Sequence, residues 1–298
     1  MMNYGHAISV LVVNPDYYRS SGVTVALKRL HNAMKHRPVD YTFVSCLTGR
    51  EVSEKREDLE WMLQEEVTRL DLMTRNPVRL LLELRKLYKM LKSGDYAILH
   101  IHHRRLALLC GWLARRVGVK VVYTGHLVYG RNRLFALAHL DAAIAITQVV
   151  AEEVQEDHPE VDVQVISNIA LTPVIEAKDS GPVLCIARLD PVKNHETLLR
   201  AWATVSNHRG KELHLLGEGA LRYQLEALAH ELAVSESVRF HGFVDDVEQR
   251  IASCSFLVLS SLVEGQGIVT LEGAMHSKPS LVSNVPGSRD AIPPQRTL

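Results

Sequence analysis

Two glutamates eight residues apart bracket the segment Glu264-Gly-Gln-Gly-Ile-Val-Thr-Leu-Glu272. The apolar run over 256–260 reads as a buried strand, and the spacing of apolar residues after Gly267 reads as a helix. Glu264 then falls in the connecting loop and Glu272 in the helix, so the two carboxylates can address two ends of one extended ligand. On a single helix the same spacing would cover about 12 Å. Gly265 and Gly267, either side of Gln266, let the backbone approach a ligand closely. A helix start offers unpaired amides and the positive end of the dipole, which suit a diphosphate or sugar oxygens.

A second constellation is Ile186-Ala-Arg188-Leu-Asp-Pro-Val-Lys193-Asn-His-Glu, with two cations directly after a buried strand. Arg188 supplies a planar fork and Lys193 a point charge, and together they could neutralise a diphosphate leaving group. Asn194 is expected to cap the next helix, with Glu196 in its first turn. Gly217-Glu-Gly219 supports either plain turn chemistry or ligand contact, because Arg222 stands where a dinucleotide fingerprint has its third glycine. His126 ends the run Tyr123-Thr-Gly-His126 and either faces a ligand crevice or is structural. His100 and His102 alternate along a strand and share a face. No carboxylate or cysteine lies at ligand spacing beside them, so a cleft-lining or core role is expected, not a metal site.

The elements that must position these residues alternate in type. Strands are expected over 8–13, 41–46, 96–101, 119–123, 142–147 and 163–166, with helices over 23–34, 78–92 and 106–117 and a charged helical stretch over 51–68. Asn76-Pro77 opens the helix over 78–92 and Gly94 ends it. A second series follows, with strands over 183–187, 212–216, 238–240, 256–260 and 280–283, and helices over 196–205, 219–232, 247–253 and 268–275. This is an α/β chain of two doubly wound, Rossmann-like domains: residues 1–172, a linker over 173–180, and residues 181–298. Ligands of such sheets bind beyond the carboxyl ends of the strands.

Composition narrows the partners. Lys plus Arg and Asp plus Glu each number 34, so no global basic field for nucleic acid exists. The four cysteines are isolated, without a C-x-x-C pair, which fits a reducing cytosol. The start of the chain lacks a basic stretch followed by an apolar core and a cleavage site. The longest apolar stretch, 106–114, is far shorter than the roughly 20 residues of a membrane span. The helix over 78–92 carries Arg79, Arg85, Lys86, Lys89 and Lys92 beside its apolar stripe. It either docks on an anionic membrane or packs on a sheet with its cations solvated. A cytoplasmic protein is expected, with at most peripheral contact at the inner face of the membrane.

These motifs together carry a resemblance over nearly the whole chain. It resembles the family-4 retaining glycosyltransferases of GT-B architecture. Glu264 to Glu272 is similar to that family's E-x7-E motif, and Arg188 with Lys193 to its diphosphate-binding pair. Gly217-Glu-Gly219 resembles its donor-domain glycine turn, and Thr124-Gly-His126 its T-x-H. The resemblance implies that Arg188 and Lys193 hold the donor diphosphate and that Glu272 binds the ribose hydroxyls. It implies Glu264 beside the transferred sugar, with the amides of Gln266 and Gly267 near its hydroxyls. His126 would contact the sugar from the first domain, the loop at Gly22 would approach the phosphates, and Phe243 would lie near the base. The implied reaction moves a sugar from a nucleoside-diphosphate sugar to the hydroxyl of a carbohydrate or lipid-linked acceptor, with retention and without a metal or other cofactor. Members of the family continue past the segment that Val285-Pro-Gly-Ser-Arg-Asp290 resembles, so the second domain is expected to be incomplete at its end. Two alternatives remain: a non-catalytic nucleotide-sugar-binding protein, and a sugar-nucleotide epimerase of the same fold.

Overall fold

Val10, Leu11, Val12 and Val13 in strand β1 (Ile8–Asn14) are all buried, as in a strand covered on both faces. Leu11 and Val13 join one core cluster, and Val10 and Val12 another. The computed structural model describes residues 7–15, 22–46, 67–130, 133–168, 181–205 and 210–291. The chain divides into two units, Met1–Ser167 and Asn168–Leu298, and the expected linker over 173–180 lies outside the described residues.

The first unit holds α1 (Gly22–Met34), β2 (Val39–Ser45), β3 (Val67–Arg69), α2 (Pro77–Ser93), β4 (Ile98–Ile101), α3 (Arg104–Arg116), β5 (Lys120–Gly125), β6 (Ala142–Ala145), α4 (Gln148–Asp157) and β7 (Asp162–Val165). Its seven strands run in the order β3-β2-β1-β4-β5-β6-β7, and every pairing is parallel. Leu27 of α1 lies in the cluster on one face, while α2, α3 and α4 contribute Leu87, Leu106, Cys110 and Val150 to the other. Asn76 caps α2 as expected, its side chain accepting from the amides of Val78 at 3.0 Å and Arg79 at 3.1 Å. The stretch 51–66 of the expected charged helix lies outside the described residues, and Val67 and Thr68, assigned to that helix from the sequence, pair instead with Phe43 and Val44 as strand β3.

The second unit holds β8 (Val183–Ile186), α5 (His195–Thr204), β9 (Leu213–Leu216), α6 (Arg222–Glu231), β10 (Val238–Gly242), α7 (Val247–Ser253), β11 (Phe256–Leu259), α8 (Ile268–Met275), β12 (Ser280–Val282) and α9 (Pro286–Asp290). Its all-parallel order is β10-β9-β8-β11-β12. Leu199 of α5 and Leu225 of α6 join the core on one face, and Ile251 of α7 with Val269 of α8 that on the other. Helices therefore leave β8 and β11 toward opposite faces. The loops after these adjacent strands therefore lie at the strand-order reversal, the place where doubly wound sheets bind ligands. In the first unit the corresponding point lies between β1 and β4.

Candidate functional site

The loops after β8 and β11 hold the residues singled out by their chemistry. After β8 the chain passes through Arg188 into a short 3-10 turn, Pro191–Lys193. Asp190 caps that turn by accepting from the Lys193 amide at 3.3 Å, and its carboxylate also pairs with Arg188 at 2.9 Å. Asn194 is not the backbone cap the sequence suggested. It sits in the left-handed region with φ 51°, and its side-chain oxygen accepts from the Thr197 hydroxyl at 2.9 Å. Asn194 thus holds the position before α5 without its side chain accepting a backbone amide, and Asp190 caps only the preceding 3-10 turn.

Lys193 and Glu264 join the two loops at the strand-order reversal, Nζ to Oε1 at 2.6 Å. Glu264 is buried, and the same oxygen accepts from the Ser261 hydroxyl at 2.7 Å. Two donors thus compensate a carboxylate withdrawn from water, where a lone one would be costly. Ser260 ties the two loops together, its hydroxyl lying 3.0 Å from the carbonyl oxygens of Lys193 and of Asn194. The Leu262 amide donates to the Val192 carbonyl at 2.8 Å. Behind the loop, α9 packs so closely that a Cβ on Gly287 would fall 2.2 Å from the Glu264 carbonyl oxygen. Sequence reasoning passed over Ser260, Ser261 and Gly287; the pair of serines directly after a buried strand was the available signal.

Arg188 shares the β8 loop, with its side chain 57% exposed. The glycine turn after β9 supports that loop. A Cβ on Gly217, whose φ is 138°, would lie 2.1 Å from the Ala187 carbonyl oxygen, and one on Gly219 would lie 2.3 Å from that of Leu189. Leu189 in turn donates to the Glu218 carbonyl at 2.9 Å. The two glycines thus let the Arg188 segment lie directly on the turn. Gln266 is buried, and its side-chain oxygen accepts from the Asn168 amide at 2.8 Å. Gly267 ends the loop in the left-handed region and starts α8, in which Glu272 is buried one turn further on. Phe243 follows β10 and is partly exposed.

In the first unit, Gly22 is the exposed first residue of α1, and the Ser20-Ser21 part of its loop lies outside the described residues. The histidines form two rungs between β4 and β5. His100 Nε2 lies 2.7 Å from the Thr124 hydroxyl, and His102 Nδ1 lies 2.8 Å from His126 Nε2. His100 and His102 do share a face, their ring centroids 4.2 Å apart. Burial pushes the His100 pKa down to about 4 and that of His126 to about 3, with the neighbouring His100 adding to the second shift. The loop after His126 is held by a buried arginine that sequence reasoning did not single out. Arg104 pairs with Glu153 at 2.8 Å, donates to the Gly130 carbonyl at 3.0 Å and stacks on Tyr129 and Phe135. Glu153 also accepts from the Tyr129 amide at 3.0 Å.

Two all-parallel doubly wound units, with an ion pair at the strand-order reversal of the second, have the architecture of the GT-B class. The model of Glycosyltransferase Family 4 matches residues 20–169, and that of Glycosyl transferases group 1 matches residues 173–297. The chain belongs to glycosyltransferase family 4. It is 28% identical over 246 residues to EpsD of Bacillus subtilis (strain 168), covering 70% of this chain and 64% of that protein. It is 30% identical over 186 residues to the lipopolysaccharide core biosynthesis glycosyltransferase LpsE of Rhizobium meliloti (strain 1021), covering 58% of this chain and 54% of that protein. The chain thus spans less than two thirds of the length of either relative. Its fold is similar to that of the lipopolysaccharide outer core galactosyltransferase WaaB, with a TM-score of 0.74, 17% identity and coverage of 96% of this chain and 83% of that one. The structure of Anabaena Alr3699/HepE in complex with UDP and glucose is as similar, with a TM-score of 0.74, 16% identity and the same coverage, 96% and 83%.

Proposed function

We propose that this chain transfers a sugar from a nucleoside-diphosphate sugar to an acceptor hydroxyl, with retention at the anomeric carbon, in polysaccharide or lipopolysaccharide biosynthesis. The observation that carries this reading is the Lys193–Glu264 pair at the strand-order reversal of the second unit, with Arg188 on the same loop. The relatives' names support the pathway class, and the neighbour solved with UDP and glucose supports the donor class.

In the reaction, the bond from the anomeric carbon to the diphosphate oxygen breaks, and its electron pair leaves with the nucleoside diphosphate. The acceptor oxygen bonds to that carbon on the same face, and its proton is released. Negative charge grows on the departing diphosphate, so cations already in place beside it lower the barrier. Arg188 and Lys193 supply them. Lys193 is held by Glu264 before any donor arrives. The donor phosphates then share or take over that ammonium, while Glu264 turns toward the sugar hydroxyls. Glu272 binds the ribose hydroxyls, Gly217, Gly219, Gln266 and Gly267 line the donor, Phe243 lies by the base, and His126 contacts a sugar hydroxyl. Neither a metal nor another cofactor enters this scheme.

The acceptor is a carbohydrate or a lipid-linked carbohydrate. For a lipid-linked one, α2 offers a peripheral contact with an anionic membrane surface, a reading that sedimentation with anionic vesicles tests.

The donor site is tested by thermal shift and calorimetry against a panel of nucleotide sugars. A bound donor raises apparent stability by about 2.7 kcal/mol at a hundred times its dissociation constant. Arg188→Ala and Lys193→Ala should each weaken donor binding or turnover by about tenfold or more, the worth of a charged hydrogen bond. Wild-type binding and turnover in both variants would sink the site assignment. Binding without transfer would favour the non-catalytic alternative, and change of the donor without an acceptor would favour the epimerase.

A further inference from the structure

We infer that His102 is a positioning residue that locks His126 in one tautomer, with its proton on Nδ1, so that His126 presents a hydrogen-bond donor, never an acceptor, to whatever lies beside it. The inference rests on the proposal that His126 contacts a sugar hydroxyl.

The argument begins with the 2.8 Å contact between His102 Nδ1 and His126 Nε2. One of these nitrogens must carry the shared proton, because a neutral imidazole has one donor and one acceptor. Both rings are neutral near pH 7, since burial drives both pKa values down, with His100 adding to both shifts and His126 to that of His102. If His126 Nε2 donated, His102 would carry its own proton on Nε2. That nitrogen is buried and has no hydrogen-bond partner among the described residues. An N–H group enclosed without an acceptor is among the rarest arrangements in folded proteins. If His102 Nδ1 donates instead, only a lone pair faces the enclosed side. The proton therefore sits on His102 Nδ1, and His126 accepts through Nε2.

Two consequences follow for His126. Its Nε2 is occupied by His102, so Nδ1 is the polar atom it can offer a ligand. With the proton on Nδ1, that atom donates. His126 can then hold a sugar hydroxyl oxygen but cannot take a proton from an acceptor, in keeping with a reaction run by positioning and charge stabilisation. The adjacent rung, His100 to the Thr124 hydroxyl at 2.7 Å, pins the strand residue two before His126 and steadies the geometry.

The tautomer is read directly from long-range nitrogen–proton correlations of the imidazole rings in the full 15N-labelled chain, without substrate. The His126 signals are identified by their loss in His126→Gln. The expected spectrum has His126 protonated on Nδ1 and bare at Nε2. A His126 protonated on Nε2 would overturn the inference, and this wild-type spectrum, assigned through His126→Gln, suffices even if the His102 variants fail to fold. His102→Phe keeps the ring but removes the donor and should move the His126 proton to Nε2 or split it between the two nitrogens. His102→Asn keeps a donor and should preserve the wild-type tautomer; an unchanged tautomer in His102→Phe overturns the positioning role. In transfer assays His102→Phe should lower kcat by about tenfold or more with donor KM within about twofold, and His102→Asn should recover most of it. A protein without transfer activity but with the expected spectra would count against the proposed function and leave the tautomer assignment standing.

Discussion

Lys193 and Glu264 are separated by 71 residues of chain and by 2.6 Å in space. Breaking a pair of this kind by removing one partner costs several kcal/mol when the other is left buried, so these residues form part of the stability of the second unit as well as its chemistry. The histidines of the first unit pose the opposite case, since burial keeps them uncharged. Burial lowers the pKa of His100 to about 4 and that of His126 to about 3, from the ordinary 6.5, and lowers that of His102 as well. Because the folded values lie below the unfolded ones, the unfolded chain binds more protons between about pH 6.5 and these values. Stability is therefore full above that window and falls as the pH drops through it, by up to about 1.4 kcal/mol per pH unit for each histidine. Urea unfolding should show a lower midpoint at pH 5 than at pH 7, with a shallower pH slope in His100→Phe. A midpoint that does not move across this range would refute the assignment of these histidines as buried and neutral.

At the scale of elements, the 3-10 turn Pro191–Lys193 and the glycine turn after β9 work as one device. The turn aims Lys193 at Glu264, and Gly219 leaves room for the carbonyl of Leu189, the residue after Arg188. Gly219→Ala would put a Cβ 2.3 Å from that oxygen, a contact only a shift of backbone can relieve. Overpacking of this kind costs about 1–3 kcal/mol, and the displaced loop should also weaken donor affinity. Chemical denaturation together with donor titration checks both effects; wild-type stability and affinity would show that the turn carries no such constraint. The elements themselves were largely legible. Apolar runs of strand length placed β1, β8 and β11 to within two residues, because central strands of a parallel sheet are buried on both faces. Helix α4 went unseen although Thr147 caps it, its hydroxyl lying 3.4 Å from the Val150 amide. β3 was missed because three residues carry too little periodicity to be told from a helix end.

At the scale of the whole molecule, the equal charges conceal an uneven distribution. Helix α2 carries five cations against one acid, Glu83, which is buried and paired with Lys86. Arg79 is taken by Asp71 at 2.7 Å, while Arg85, Lys89 and Lys92 are exposed. Leu81 and Leu82 are exposed on the same helix, 52% and 50%. Apolar tips among cations are the make-up of a helix that lies on an anionic bilayer, and no helix of the described residues is long and apolar enough to cross one. The chain should sediment with vesicles containing phosphatidylglycerol, less so at high salt. Leu81→Asp with Leu82→Asp should reduce the bound fraction by about tenfold or more, whereas equal binding to neutral vesicles would rule out this mode.

The sequence by itself determined the fold class and the identity of the donor-site candidates. Strand length, helical spacing and the residues that follow each strand are local properties, and Arg188, Lys193, Glu264 and Glu272 could be picked out from them. Only the tertiary structure decided who partners whom. Lys193 holds Glu264, Asn194 bonds Thr197 and not a helix amide, Gly217 and Gly219 serve the backbone beside them, and His102 reaches His126. The physical reason is that a parallel sheet brings together residues whose separation along the chain is set by crossover helices. Hydrogen bonds and ion pairs depend on fractions of an ångström that no spacing rule contains.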